Sequence, residues 1–158
     1  MRVFLGSDHA GFELKEHLVS WLKANGHEPV DCGAFEYDAV DDYPPFVLRA
    51  AERTAAESGT LGIVLGGSGN GEAMAANKVK GIRAALVWNE DTAKLAREHN
   101  NANVISLGAR QHDAATATRF VELFLATPYS EEPRHTRRIE MLSAYETTGE
   151  LPPVSSGN

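Results

Sequence analysis

The chain holds one cysteine, Cys32. That excludes an intrachain disulfide framework and any metal site built from several thiolates. It fits a reducing compartment, so the expected location is the cytoplasm. Positive charge is also scarce: 15 Lys+Arg face 22 Asp+Glu, a formal net charge of −7. Nucleic acid and membrane surfaces both require a broad positive field, so neither is an expected partner. No apolar stretch approaches the roughly 20 residues of a membrane-spanning helix. The apolar run Val3-Phe4-Leu5 gives way at once to Gly6-Ser7-Asp8-His9, too short for a signal peptide. No His, Asp and Glu set has a recognisable metal-ligand spacing, so neither a metal nor another cofactor is expected. Linkers and internal repeats are missing as well. What remains is 158 residues, 42% hydrophobic and 23% charged, enough for one domain with a sizeable core. Residues 1–147 are expected to form that domain and 148–158 a flexible tail.

Short apolar runs alternate with helical patterns, the signature of parallel strands joined by crossover helices. Strands are expected at Val3–Leu5, Pro29–Gly33, Leu61–Leu65, Ile82–Val87 and Asn103–Gly108. Helices are expected over about 12–25, 44–58, from Glu72 through Ala76, 91–99, 113–126 and 131–147. Phe35–Pro45, with four acidic residues and two prolines, reads as an irregular loop. The expected architecture is α/β: a three-layer α/β/α sandwich of Rossmann type with a five-stranded parallel sheet and an extra C-terminal helix. Open parallel sheets bind ligands at the carboxyl ends of their strands. That rule selects Ser7-Asp8-His9, Gly66–Glu72, Trp88-Asn89 and Gly108-Ala109-Arg110.

The segment Gly66-Gly67-Ser68-Gly69-Asn70-Gly71-Glu72 joins a strand to a helix. Its glycines permit close backbone approach, so its N–H groups can converge on an oxyanion; a tight connection is the plain alternative. It is neither a Walker A loop nor G-x-G-x-x-G. Glu72 reads either as a first-turn acid favoured by the helix dipole or as a general base beside an anion-stabilising loop. Ser68 could add a hydroxyl donor. Asp8 and His9 read as a helix cap or as a hydroxyl- and phosphate-binding pair. His99, followed by Asn100, is either a cation at a helix C-terminus or a site residue. Arg110, Arg134, Arg137 and Arg138 are the most informative charges. The last three fall near a helix N-terminus, where cations are disfavoured unless an anion fills the gap. Arg134 and Arg138, four apart, could clamp one phosphate; a solvated face paired with nearby glutamates is the alternative.

Together these segments resemble the ribose-5-phosphate isomerase B / galactose-6-phosphate isomerase family. The motifs that carry the resemblance are Gly6–Gly11, Gly66–Lys78, Arg83-Ala84-Ala85, His99–Asn103, Gly108–Arg110 and Arg134–Arg138, and it runs from residue 1 to about residue 147. It implies a homodimer with active sites shared across the interface, interconverting D-ribose 5-phosphate and D-ribulose 5-phosphate through a cis-enediol without metal. By resemblance, Glu72 is the catalytic base, and the backbone of Gly67, Gly69, Asn70 and Gly71, with Ser68, holds the enediolate oxygen. His99 and Asp8 assist ring opening, and Asn100 joins the substrate-binding set. His9, Arg110, Arg134 and Arg138 bind phosphate. Many members carry a cysteine base where this chain has Gly66. The chain is closer to the actinobacterial, mycobacterial-like branch, whose base is the glutamate at the end of the loop. Competing expectations are an isomerase of a six-carbon sugar phosphate (allose 6-phosphate or galactose 6-phosphate) and a noncatalytic nucleotide- or phosphate-binding module, which would have no use for a base.

Overall fold

A computed structural model describes residues 1–154. Five parallel strands, β1 (Arg2–Ser7), β2 (Glu28–Asp31), β3 (Leu61–Gly66), β4 (Ala84–Leu86) and β5 (Val104–Gly108), form one sheet in the order β2-β1-β3-β5-β4. The helices are α1 (Phe12–Ala24), α2 (Pro44–Ala56), α3 (Asn70–Ala76), α4 (Glu90–Glu98), α5 (Ala114–Ala126) and α6 (Pro133–Thr148). Central position explains composition. β3 lies between β1 and β5 and is buried along all six residues, so it reads as an unbroken apolar run. Proline lacks a donor and belongs on sheet edges, which is where Pro29 of β2 sits.

The core has two halves, one on each face of the sheet. Leu14, Leu18 and Leu22 of α1 and Phe120, Val121 and Phe124 of α5 pack with Leu5, Ile63 and Leu107 on one face. Val47, Ala50 and Ala51 of α2 and Ala76 of α3 cover Phe4, Val64 and Val104 on the other. Burial of such side chains contributes about 1.5–3 kcal/mol for each large one.

Several expected boundaries are corrected. The expected strand 82–87 contracts to Ala84–Leu86, because Ile82 N–H bonds Val79 O and Arg83 N–H bonds the Asn103 side chain. The glycine loop gives way to α3 at Asn70, two residues before Glu72. α6 starts at Pro133, where proline suits a first helical turn, not at Glu131. In the expected tail, Thr148 is still helical and 149–154 have no helix or strand, while 155–158 lie outside the described residues. Among the described residues, no helix is long and apolar enough to cross a membrane.

Strand order locates the ligand edge. From β1 the chain moves to β2 on one side, then returns across β1 to β3, so the carboxyl ends of β1 and β3 face a topological switch point.

Candidate active site

Two loops flank this switch point. After β1, Asp8 caps a single 3-10 turn (His9–Gly11), its Oδ1 accepting from Ala10 N–H at 3.0 Å and Gly11 N–H at 3.4 Å. After β3, the glycine loop is anchored through its carbonyls. Ala109 N–H donates to Gly66 O and Arg110 N–H to Gly67 O, at 2.8 and 3.0 Å. The Ser106 hydroxyl donates to Gly69 O at 2.7 Å. With those acceptors occupied, and with the first N–H groups of α3 lacking intrahelical partners, the loop is a surface of donors. Asn70 N–H is already taken by Ser68 Oγ, at 3.2 Å. Gly69 adopts φ +86°, and a Cβ there would press on Leu86 at 2.8 Å, so the turn admits only glycine.

Glu72 is 4% exposed and buried beneath this loop. Its carboxyl group fills the space that a side chain at residue 66 would occupy: a Cβ on Gly66 would overlap Oε1 and the carboxyl carbon. Burial pushes the Glu72 pKa above the usual carboxylate range, opposed in part by its own backbone N–H, and the negative charge of Asp8 adds to the rise. A buried carboxylate with a raised pKa beside convergent N–H donors has the properties of a general base next to an oxyanion site.

This geometry gives Gly66→Ala a clear expected outcome. The colliding group is the end of a flexible side chain, so the fold should survive while Glu72 is displaced. A displacement of about 1 Å from reacting atoms costs on the order of 10²-fold. Turnover should fall by that factor with an unchanged circular-dichroism spectrum; wild-type turnover would show that the carboxyl group has no fixed seat.

His9 and Arg110 bring positive charge to the same edge. Asp41 Oδ1 accepts from both the backbone N–H of His9 and its ring Nδ1, each at 2.8 Å. The hydrogen bond to Asp41 raises the His9 pKa, with Asp8 adding to the rise; partial desolvation and Arg110 oppose it. Arg110 crosses Gly67, where a Cβ would meet its Nη1 at 3.0 Å. Among the described residues, Asp8, His9 and Asp41 bring one donor atom each within 4.8 Å of one another. The His9 ring nitrogen and Asp41 Oδ1 are turned to each other in a hydrogen bond, so the triple reads as an ion pair holding the imidazole, not as an open metal cradle.

Asp41 and Tyr43 are additions that the sequence reading missed. Tyr43 lies over Gly71, where a Cβ would meet its hydroxyl at 2.5 Å. Both occupy the irregular segment between β2 and α2, and the carboxyl-edge rule, applied after β2 as after the other strands, would have included them.

The remaining expected site residues are elsewhere in the chain. His99 caps the C-terminus of α4, five residues before β5, which places it at the amino edge of the sheet, opposite Glu72. Its ring stacks on His135 with centroids 4.1 Å apart, so the start of α6 with Arg134 and Arg138 belongs to that edge too. Asn100 is exposed beside His99, its carbonyl accepting from Arg83 Nε at 2.9 Å. Arg134 pairs with Glu132 at 2.9 Å. Within one chain, Asp8, His9, Gly67–Glu72 and Arg110 gather at the carboxyl edge, and His99, Asn100, Arg134 and Arg138 at the other. Cys32 is buried with a thiol pKa raised by burial, which makes it inert.

Comparison with known proteins shows the family. Residues 3–142 match the Ribose/Galactose Isomerase family model. The chain is 60% identical to Ribose-5-phosphate isomerase B of Mycolicibacterium paratuberculosis over 98% of this chain and 97% of the relative. It is also 60% identical to the Mycobacterium tuberculosis protein of that name, over 98% and 95%. Ribose-5-phosphate Isomerase B from Mycoplasma genitalium, solved with bound Ribulose-5-phosphate, superposes with a TM-score of 0.90 at 42% identity, covering 93% of this chain and 97% of that one. The Clostridium thermocellum structure also gives 0.90, at 37% identity over 95% and 100%. With this match over most of its length and its three-layer fold, the chain belongs to the ribose/galactose isomerase family, in its mycobacterial ribose-5-phosphate isomerase B branch.

Proposed function

We propose that this protein interconverts D-ribose 5-phosphate and D-ribulose 5-phosphate through a cis-enediolate, as one catalytic unit spanning 1–147. The buried Glu72 carboxylate under the donor loop carries this reading. Glu72 removes the proton from C2 of the open-chain aldose, and the C1 carbonyl oxygen takes up the charge. A proton then passes from O2 to O1, and Glu72 returns its proton to C1 to give the ketose. The N–H groups of Gly67, Gly69 and Gly71 and the Ser68 hydroxyl face the developing oxyanion, while Asn70 N–H stays on Ser68 Oγ. Cationic His9 and Arg110 bind the phosphate.

The separation of the two residue sets supports a homodimer in which the amino edge of one copy completes the carboxyl edge of the other. His99 of a second copy then joins Asp8 in opening the furanose ring, with Asn100 beside it. Arg134 and Arg138 of that copy close on the phosphate, Arg134 exchanging Glu132 for it. The lone, buried cysteine fits a cytoplasmic enzyme.

A coupled assay comparing ribose 5-phosphate with allose 6-phosphate tests the substrate. Conversion of ribose 5-phosphate with the higher kcat/KM is expected; preference for the six-carbon sugar would overturn the assignment.

The ionisations define a working range. Activity should rise with pH as Glu72 deprotonates, with its midpoint above that of an ordinary carboxylate. KM should rise at higher pH as His9 loses its proton. Asp41→Asn removes the main cause of the raised His9 pKa, so the alkaline rise in KM should move to lower pH while the acid limb of kcat stays in place. An unmoved KM profile would separate His9 from phosphate binding.

A further inference from the structure

At the amino edge, a cavity of about 620 Å³ lies between the α2–β3 turn and the Arg97–Asn103 segment, lined in part by Thr54, Ser58, Thr60, Arg83, Arg97 and Asn101. Arg83 and Arg97 have no part in the chemistry above. Both are half-buried, and neither has a carboxylate within ion-pair distance among the described residues. Each is pinned by backbone carbonyls. Arg83 donates from Nε to Asn100 O at 2.9 Å and from Nη2 to Asn101 O at 2.8 Å. Arg97 donates from Nη1 to Ala102 O at 2.6 Å and from Nε to Thr127 O at 3.4 Å, with its guanidinium 5.9 Å from the Phe124 ring centroid. The two cations therefore hold three consecutive carbonyls of one turn, which brings them close to each other. Arg83 Nη1 and Arg97 Nη2 are left without a protein acceptor among the described residues.

The acids nearby are already engaged. Glu57, on the cavity wall, accepts from Arg2 Nη1 through both oxygens at 2.8 and 2.9 Å. Glu146, whose charge reaches Arg83, accepts from Gly81 N–H at 3.0 Å. Burial and mutual repulsion disfavour the charge on Arg97. Two desolvated, rigidly held guanidinium groups with one free amino group each are preorganised for a tetrahedral oxyanion, because their ordering cost is already met by the carbonyls. The cavity is also larger than a bare anion and matches the size range of small-molecule pockets.

We propose that Arg83 and Arg97 form a second phosphate-group site, at the opposite edge of the sheet from Glu72. Inorganic phosphate and an organic phosphate monoester share this chemistry, and adenosine 5′-monophosphate serves as the monoester probe. Arg83 touches the isomerase reading through the Asn100 carbonyl that it holds, so the test reads the far wall of the cavity, at Ser58 and Thr60, and does not use turnover.

Amide shifts in 1H–15N spectra of the full chain locate the binding. In an Arg110→Gln background, which weakens the phosphate grip at the other edge, both probes should give saturable shifts at Ser58 and Thr60. Adding Arg97→Gln should weaken them at least tenfold, and Arg97→Lys should give an intermediate affinity. The lysine variant keeps the cation and remains informative if glutamine loosens the Ala102 turn. Tighter binding of the monoester than of inorganic phosphate identifies an organic ligand; equal affinities identify free phosphate as the occupant. Shifts confined to Gly67–Gly71 and His99–Asn103, or an affinity at Ser58 and Thr60 indifferent to both Arg97 variants, would overturn the proposal.

Discussion

Replacing Glu72 by Gln is expected to lower kcat by about 10³- to 10⁴-fold while ribose 5-phosphate still binds. Glutamine keeps the shape of the side chain beneath Gly66 but cannot accept the C2 proton. Two carboxylates near Glu72 are constrained differently: Asp8 caps Ala10 and Gly11, and Asp41 holds His9. Isothermal titration should show little change in ribose 5-phosphate affinity, because the proposed phosphate grip, His9 and the arginines, is left intact. Full activity in the variant would remove Glu72 from the mechanism.

The same substitution should raise thermal stability at neutral pH, and the sign follows from linkage. A carboxylate whose pKa is higher folded than unfolded supports folding at low pH, below the unfolded value. That support is lost as pH rises through the folded value. Above the folded value the protein therefore carries a buried negative charge, disfavoured by desolvation and by Asp8. Glutamine removes that charge without removing the side chain. The variant should melt above the wild type at pH 7.5, and the gap should close as pH falls and Glu72 becomes protonated. A fall in Tm together with the loss of activity would instead indicate a damaged loop. Activity and stability moving in opposite directions is the signature of a strained catalytic group.

The legibility of each element depended on how local its cause was. Leu61–Leu65 read as a strand because a central parallel strand is buried on both faces, and Gly66 ended the run. The glycine loop and Glu72 are contiguous, so their association needed only the strand-to-helix turn. β4 is shorter than its apolar pattern suggests because the amides of Ile82 and Arg83 are claimed by Val79 and Asn103. Asp41 lies 32 residues from His9 in a segment without periodicity, and only the return of the chain over β1 brings the two together. His99 was identified as a residue but not located. The nine residues of α4 rise about 14 Å, enough to carry the chain back along the sheet to its amino edge.

That placement of His99 leads to a decisive complementation result. Glu72→Gln and His99→Asn subunits should each be nearly inactive alone, and mixed subunits should recover activity. If each site takes Glu72 from one copy and His99 from the other, a mixed dimer has one site with both residues replaced and one with neither. Random pairing of equal amounts makes half the dimers mixed, so about a quarter of the wild-type activity should return. This is a rise of more than a hundredfold over the Glu72→Gln parent. The mixture must be co-expressed or refolded together so that subunits exchange; simple mixing of stable dimers serves as the control. If one chain supplied a whole site, every site in the mixed dimer would lack one of the two residues, and no activity would return. The test separates the two arrangements cleanly because α4 leaves His99 at the amino edge while β3 delivers Glu72 to the carboxyl edge. Only a change in the fold of a chain, and not a side-chain adjustment, could bring those two residues of one copy to the same substrate.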